Sequence, residues 1–130
     1  LHFLGRRNDI PVLMKAATAN ILVSDQEGLP RSVLESLALE LPTIGTKIRG
    51  TQDLLAGGSG LLVDVGDISG LTAAMTWMLD RPEEASKMAQ YGRQGLLSAY
   101  DLQHIIQLHE QLYDLALAAR DAHSGSRLPK

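Results

Sequence analysis

Short, nearly continuous apolar runs alternate along this chain with longer stretches whose apolar residues recur every three to four positions. The runs are Leu1–Leu4, Ile21–Val23, Leu41–Thr46 with Pro42 near its start, and Gly60–Asp64. Runs this short and this apolar are typical of strands buried on both faces of a parallel sheet. Between them the spacing predicts helices over 10–19, about 30–39 and 51–56, and from Asp67 onward over about 68–79, 83–98 and 102–121. Local signals support these bounds. Asp9 is placed to cap the first helix, Pro11 falls in its first turn and Asn20 closes it; Pro30 suits the first position of the second, and Gly57-Gly58 stop the third.

Strands alternating with helices predict βαβ units with right-handed crossovers, hence an α/β fold: a doubly wound parallel sheet followed by C-terminal helices. One domain is expected over residues 1–122, with a polar, disordered tail over 123–130. In such sheets ligands bind beyond the carboxyl ends of the strands. The loops to inspect are therefore 5–9, 24–29, 46–51 and 64–67.

Composition narrows the function. The 130 residues are 45% hydrophobic and 21% charged, with 12 Gly and 5 Pro, ordinary usage for a globular domain. A net charge of -3 gives no basic footprint for nucleic acid. The absence of cysteine removes disulfides, thiolate metal sites and cysteine nucleophiles. His2, His104, His109 and His123 lack metal-ligand spacing, so no metal is expected. No run reaches the roughly 18 apolar residues of a membrane span and no signal peptide is evident, so a cytoplasmic location is expected. Leu1 to Gly5 read as the end of a strand and its turn, and a longer parent protein is expected.

The informative segment is Ser24–Glu35, which leads from a strand through a glycine loop into a helix. Free N–H groups and the macrodipole at a helix start favour phosphate, and Gly28 allows close backbone approach. Many such loops bind nothing. Glu27 could accept hydrogen bonds from ligand hydroxyls, or simply favour the helix start. Glu35 lies roughly 7 to 8 Å along the axis from Pro30 at 1.5 Å per residue. Helical placement sets Leu29, Val33, Leu34, Leu37 and Ala38 on one face, with Arg31 and Glu35 together on the other. An Arg31–Glu35 pair, base before acid, contributes only a few tenths of a kcal/mol.

Glu27-Gly28-Leu29-Pro30, with Glu35 eight positions after Glu27, resembles the E-x7-E signature of family-4 glycosyltransferases, the glycosyl transferases group 1. Around it, Phe3-Leu4-Gly5, Ala19–Ser24, Leu34–Ala38, Pro42–Thr46, Gly58–Val63 and Gly66-Asp67 resemble further motifs of that family in the right order, over about residues 3–100. The resemblance implies the Rossmann-like C-terminal, donor-binding half of a GT-B fold. It implies that Glu27 contacts hydroxyls of the donor sugar near the reacting centre and that Glu35 holds the ribose hydroxyls. Backbone amides of Gly28 and Leu29 would meet the diphosphate, and the loop from Gly5 to Asp9 would lie beside the base. The implied donor is a UDP-, GDP- or ADP-sugar, used without a metal cofactor. The implied transfer retains anomeric configuration through an oxocarbenium-like state, with the leaving diphosphate helping to deprotonate the acceptor.

Other parts of the implied enzyme lie elsewhere. The acceptor-binding N-terminal domain and the basic pair that neutralises the diphosphate are absent from these residues, and any peripheral membrane association would run through that half. The fragment alone is expected to be inactive. Two other readings remain: a non-catalytic nucleotide-sugar-binding or interaction module, and another GT-B enzyme such as an epimerase or a sugar-phosphate synthase.

Some positions depart from the family pattern. Glu40 stands where the family has Gly, and a left-handed conformation there would cost about 1 kcal/mol or more, so a differently built turn is expected. Arg49-Gly50 stands where many members have Gly-Gly. Trp77, with Met75 and Met78, reads as a packing residue, and His104 and His109 as surface or packing residues.

Overall fold

The computed structural model describes residues 1–124, with side-chain surroundings up to Arg120. In chain order the elements are α1 (Ile10–Ala16), β1 (Asn20–Leu22), α2 (Arg31–Ala38), β2 (Thr43–Thr46) and α3 (Thr51–Leu55), which runs into a 3-10 turn (Ala56–Gly58). They continue with β3 (Leu61–Val63), α4 (Ile68–Asp80), α5 (Pro82–Tyr100) and α6 (Leu102–Ser124). The expected alternation is present, and Gly57 and Gly58 end α3 at φ 71 and 94.

The three strands lie in the order β1-β2-β3, all parallel, with Ile21 opposite Ile44, Leu22 opposite Gly45 and Gly45 opposite Leu62. Strand side chains alternate between faces, and the core divides accordingly. On one face Ile44, Val63 and Leu61 meet Ala74 and Met78 of α4 and Ala85 of α5. On the other, Leu22 and Leu62 meet Val33 and Leu37 of α2 and Leu54 and Leu55 of α3. A sheet covered on both faces, with helices between parallel strands, is the expected α/β fold class.

Four local expectations are corrected. Leu1–Leu4 form no strand and are exposed, because no neighbouring strand among the described residues completes a ladder with them. Asp9 does not cap α1 with its side chain, which is taken by Arg7 at 2.8 Å. Its carbonyl accepts from Val12 and Leu13 instead. Asn20 opens β1 rather than closing α1, which stops at Ala16. Pro30 is the N-cap of α2 rather than its first residue, and the helix begins one residue later than predicted, at Arg31.

Residues Leu1–Leu97 form one compact unit, and a second begins at Ser98. Within the second, Asp101 caps α6 by accepting from the N–H groups of Gln103 (3.0 Å) and His104 (3.3 Å). That helix continues to Ser124, and residues 125–130 of the expected tail lie outside the described residues. No helix among the described residues is long and apolar enough to cross a membrane.

Candidate functional site

The loop after β1 is fastened to the end of β2. The Ser24 N–H donates to Thr46 Oγ1 at 3.1 Å, and the Thr46 hydroxyl donates to the Ser24 carbonyl at 2.5 Å. Thr46 is 3% exposed. This two-way bond lies beyond the last paired residue of β1 and continues the strand pairing by side chain where the backbone ladder has stopped. From that anchored position the Ser24 hydroxyl donates to Glu27 Oε1 at 2.8 Å, and Glu27 is half-buried.

A second contact joins the same loops farther out. Gly50 has φ 80, and a Cβ there would fall 2.8 Å from the Gly28 carbonyl carbon and closer still to its oxygen. Only glycine allows this approach without displacing the loop. The Gly50 N–H donates to Asp53 Oδ2 at 3.3 Å, which fixes the start of α3.

Helix α2 follows directly. Its N-cap, Pro30, supplies no side-chain acceptor, and no acidic residue occupies its first turn. Val33 and Leu34 donate to the Pro30 carbonyl, both at 3.2 Å, which leaves the N–H groups of Arg31 and Ser32 at the positive end of the helix dipole. Glu35 stands on the next turn, and Arg31 Nη2 approaches its carboxylate only to 3.6 Å with 89% of the Arg31 side chain exposed. The pair leaves the Glu35 carboxylate open to other donors.

The structure thus places Glu27, Gly28, Leu29 and Glu35 on one loop-and-helix unit, with an uncapped positive helix end between the two carboxylates. Gly28 and Leu29 are exposed. Gly5 stands in the exposed N-terminal segment at φ 64. Lys47 and Arg49 are exposed on the loop after β2. Sequence reasoning missed Thr46 and Gly50 as parts of the site. A hydroxyl residue at the carboxyl end of one strand and a glycine in the following loop were the available signals.

A hollow of about 250 Å³ opens at the carboxyl ends of the strands, lined by Val23, Thr46, Val63, Asp64 and Asp67 among others. Glu27 and Glu35 are not in its lining. Asp67 serves α4: Ser69 Oγ donates to it at 2.6 Å and the Gly70 N–H at 2.9 Å, and these bonds hold its carboxyl below the usual carboxylate range. Among the described residues no group of three His, Asp or Glu side chains could hold a metal ion.

Comparison with known proteins adds the following. A family model described as "Glycosyl transferases group 1" matches residues 1–95. Glycogen synthase of Mycobacterium tuberculosis (strain CDC 1551 / Oshkosh) is 30% identical over 130 residues, covering 98% of this chain and 31% of that protein. N-acetyl-alpha-D-glucosaminyl L-malate synthase of Bacillus anthracis is 26% identical over 112 residues, 85% of this chain and 29% of that protein. Among solved structures, Anabaena Alr3699/HepE in complex with UDP matches with a TM-score of 0.80 at 25% identity, over 86% of this chain and 32% of that one. The complex of the same protein with UDP-glucose matches with a TM-score of 0.79. The chain spans 21% to 33% of the length of these and other curated relatives.

Proposed function

The chain belongs to the glycosyl transferases group 1 family, and from that premise we propose that it is the donor-binding part of a retaining, family-4 GT-B glycosyltransferase. One observation carries this reading: the uncapped N-terminus of α2 lies between two accessible carboxylates on a single loop-and-helix unit. A nucleoside diphosphate sugar carries the matching groups in the matching order, hydroxyls on a sugar, a dianionic bridge, and hydroxyls on a ribose.

In this reading the diphosphate meets the N–H groups of Gly28 and Leu29 at the start of α2, where the helix end favours negative charge. Glu35 accepts from the ribose hydroxyls. Glu27 accepts from sugar hydroxyls through the carboxylate oxygen that Ser24 leaves free. The base packs near the Gly5–Asp9 loop. As the glycosidic bond to the diphosphate breaks, positive charge develops on the sugar ring and negative charge on the leaving oxygen. The acceptor oxygen bonds to the anomeric carbon on the face from which the diphosphate departs, which retains configuration, and its proton passes to the leaving oxygen. Glu27 and Glu35 are binding groups here, not the acid and nucleophile of a hydrolase. The acceptor is held by a part of the enzyme outside these residues, so the chain binds donor without turnover.

The UDP and UDP-glucose complexes of the similar HepE make uridine nucleotides the first to try. Calorimetric titration of the chain with UDP, GDP and ADP, repeated with Glu35→Ala, tests the reading. Binding of one nucleotide, weakened about tenfold or more by Glu35→Ala, is expected for loss of hydrogen bonds to a charged group. Equal affinity in both proteins would sink the ribose assignment, and no binding of any of the three would sink donor binding.

A further inference from the structure

We propose that Ser24 and Thr46 are positioning residues for Glu27, and that through it they set the affinity for the sugar portion of the donor. The proposal rests on the reading of Glu27 as the group that contacts the donor sugar. A glutamate on a loop has three side-chain torsions to fix, and fixing them on binding costs affinity. Here one carboxylate oxygen is already held, because Ser24 Oγ donates its only proton to Glu27 Oε1 at 2.8 Å. The other oxygen is left for a ligand hydroxyl.

Ser24 can orient Glu27 only if Ser24 is itself fixed, and β1 has ended at Leu22. The buried Thr46 hydroxyl supplies the fixing by accepting from the Ser24 N–H and donating to the Ser24 carbonyl. The orientation of Glu27 is thereby referred to the sheet, through a residue 22 positions away in sequence, and not to its own loop. Ser24 and Thr46 have separable parts in this device. Loss of the Ser24 hydroxyl frees Glu27 but keeps the loop clamped, whereas loss of the Thr46 hydroxyl frees the whole loop, Gly28 included.

The test is calorimetry on the chain with UDP-glucose, GDP-mannose and ADP-glucose, then with the nucleoside diphosphate of whichever binds tightest. Ser24→Ala is expected to weaken the nucleotide sugar about tenfold, as for a lost charge-assisted hydrogen bond, and to leave the nucleoside diphosphate unchanged. Ser24→Thr, which keeps the hydroxyl, is expected to restore the affinity. Thr46→Val is expected to weaken both ligands. Thermal melts by circular dichroism show whether each variant is folded; if Ser24→Ala is not, Ser24→Cys, of similar size and a poor donor, takes its place.

Equal losses for sugar and nucleotide in Ser24→Ala would make Ser24 merely structural and overturn the proposal. No loss in Ser24→Ala, when Glu27→Ala does weaken the nucleotide sugar, would overturn it while leaving the Glu27 reading intact. No effect of Thr46→Val on either ligand would overturn the part assigned to Thr46. No loss in Glu27→Ala, or no binding of any of the three nucleotide sugars by the unaltered chain, would remove the reading beneath the proposal and the proposal with it.

Discussion

Arg93 on α5 donates from Nη1 to Glu40 Oε1 at 2.8 Å, joining residues 53 positions apart in sequence. Glu40 is itself unusual, with φ 55. It closes α2 in the left-handed conformation: the Glu40 N–H donates to the Leu37 carbonyl at 3.1 Å and the Leu41 N–H to the Ser36 carbonyl at 2.9 Å, the paired bonds of a Schellman motif. The differently built turn expected for this position does not occur. The helix C-terminus demands the same bonds from whatever residue stands there, and Arg93 offsets part of the strain.

Substitution at Glu40 separates the two effects. Glu40→Ala keeps the Cβ in a left-handed conformation and loses the exposed ion pair, so stability should fall by up to about 1 kcal/mol. Glu40→Gly loses the same pair but relieves roughly 1 kcal/mol of strain and should be neutral or slightly stabilising. Urea unfolding of the two variants decides the matter, and a Glu40→Gly protein less stable than Glu40→Ala would contradict it.

Gly50 is expected to tolerate no side chain. Gly50→Ala places a methyl against the Gly28 carbonyl and strains a left-handed residue, so stability should drop by about 1–2 kcal/mol. The loop from Ser24 to Leu29 must also shift, and nucleotide affinity should fall roughly tenfold or more with it. A variant with unchanged nucleotide affinity would show that the contact between the loops does not shape the site.

Thr51, at the start of α3, is fully buried, and its Oγ1 has no hydrogen-bond partner. A buried hydroxyl without a partner bears the full desolvation cost of about 1–3 kcal/mol. Thr51→Val, nearly the same shape, should therefore raise the unfolding midpoint. A lower midpoint would mean that the hydroxyl has a partner in solution.

Asp67 makes stability depend on pH. Its folded carboxyl titrates below its unfolded value, because Ser69 and the Gly70 N–H favour the charged form. The stabilisation is therefore complete above the unfolded value, about 3.9 for an ordinary aspartate. It is lost as pH falls from there through the lower folded value. Melting temperatures measured across that range should fall less steeply in Asp67→Ala than in the unaltered chain. Parallel curves would remove Asp67 from the account.

Much of this architecture was legible in the residues themselves, because strand and helix periodicities are local. The run Ile44-Gly45-Thr46, the stop at Gly57-Gly58 and the spacing of Glu27 and Glu35 across a loop and a helix start need only near neighbours to be read. Where the reading failed, a distant or alternative partner intervened. Asp9 was diverted from the helix end by Arg7, and Leu1–Leu4 had apolar character but no strand beside them.

The sequence alone determined that a parallel α/β sheet forms and that two carboxylates stand on one loop-and-helix unit. The tertiary structure alone decided how that unit is held. Register sets Leu22 opposite Gly45, which brings Ser24, two residues farther on, within hydrogen-bond reach of Thr46, one residue farther on, and the packing of α5 beside the end of α2 brings Arg93 to Glu40. Periodicity along one element says which face a residue takes; which residue waits on the other side depends on how separate elements pack, and no local pattern carries that information.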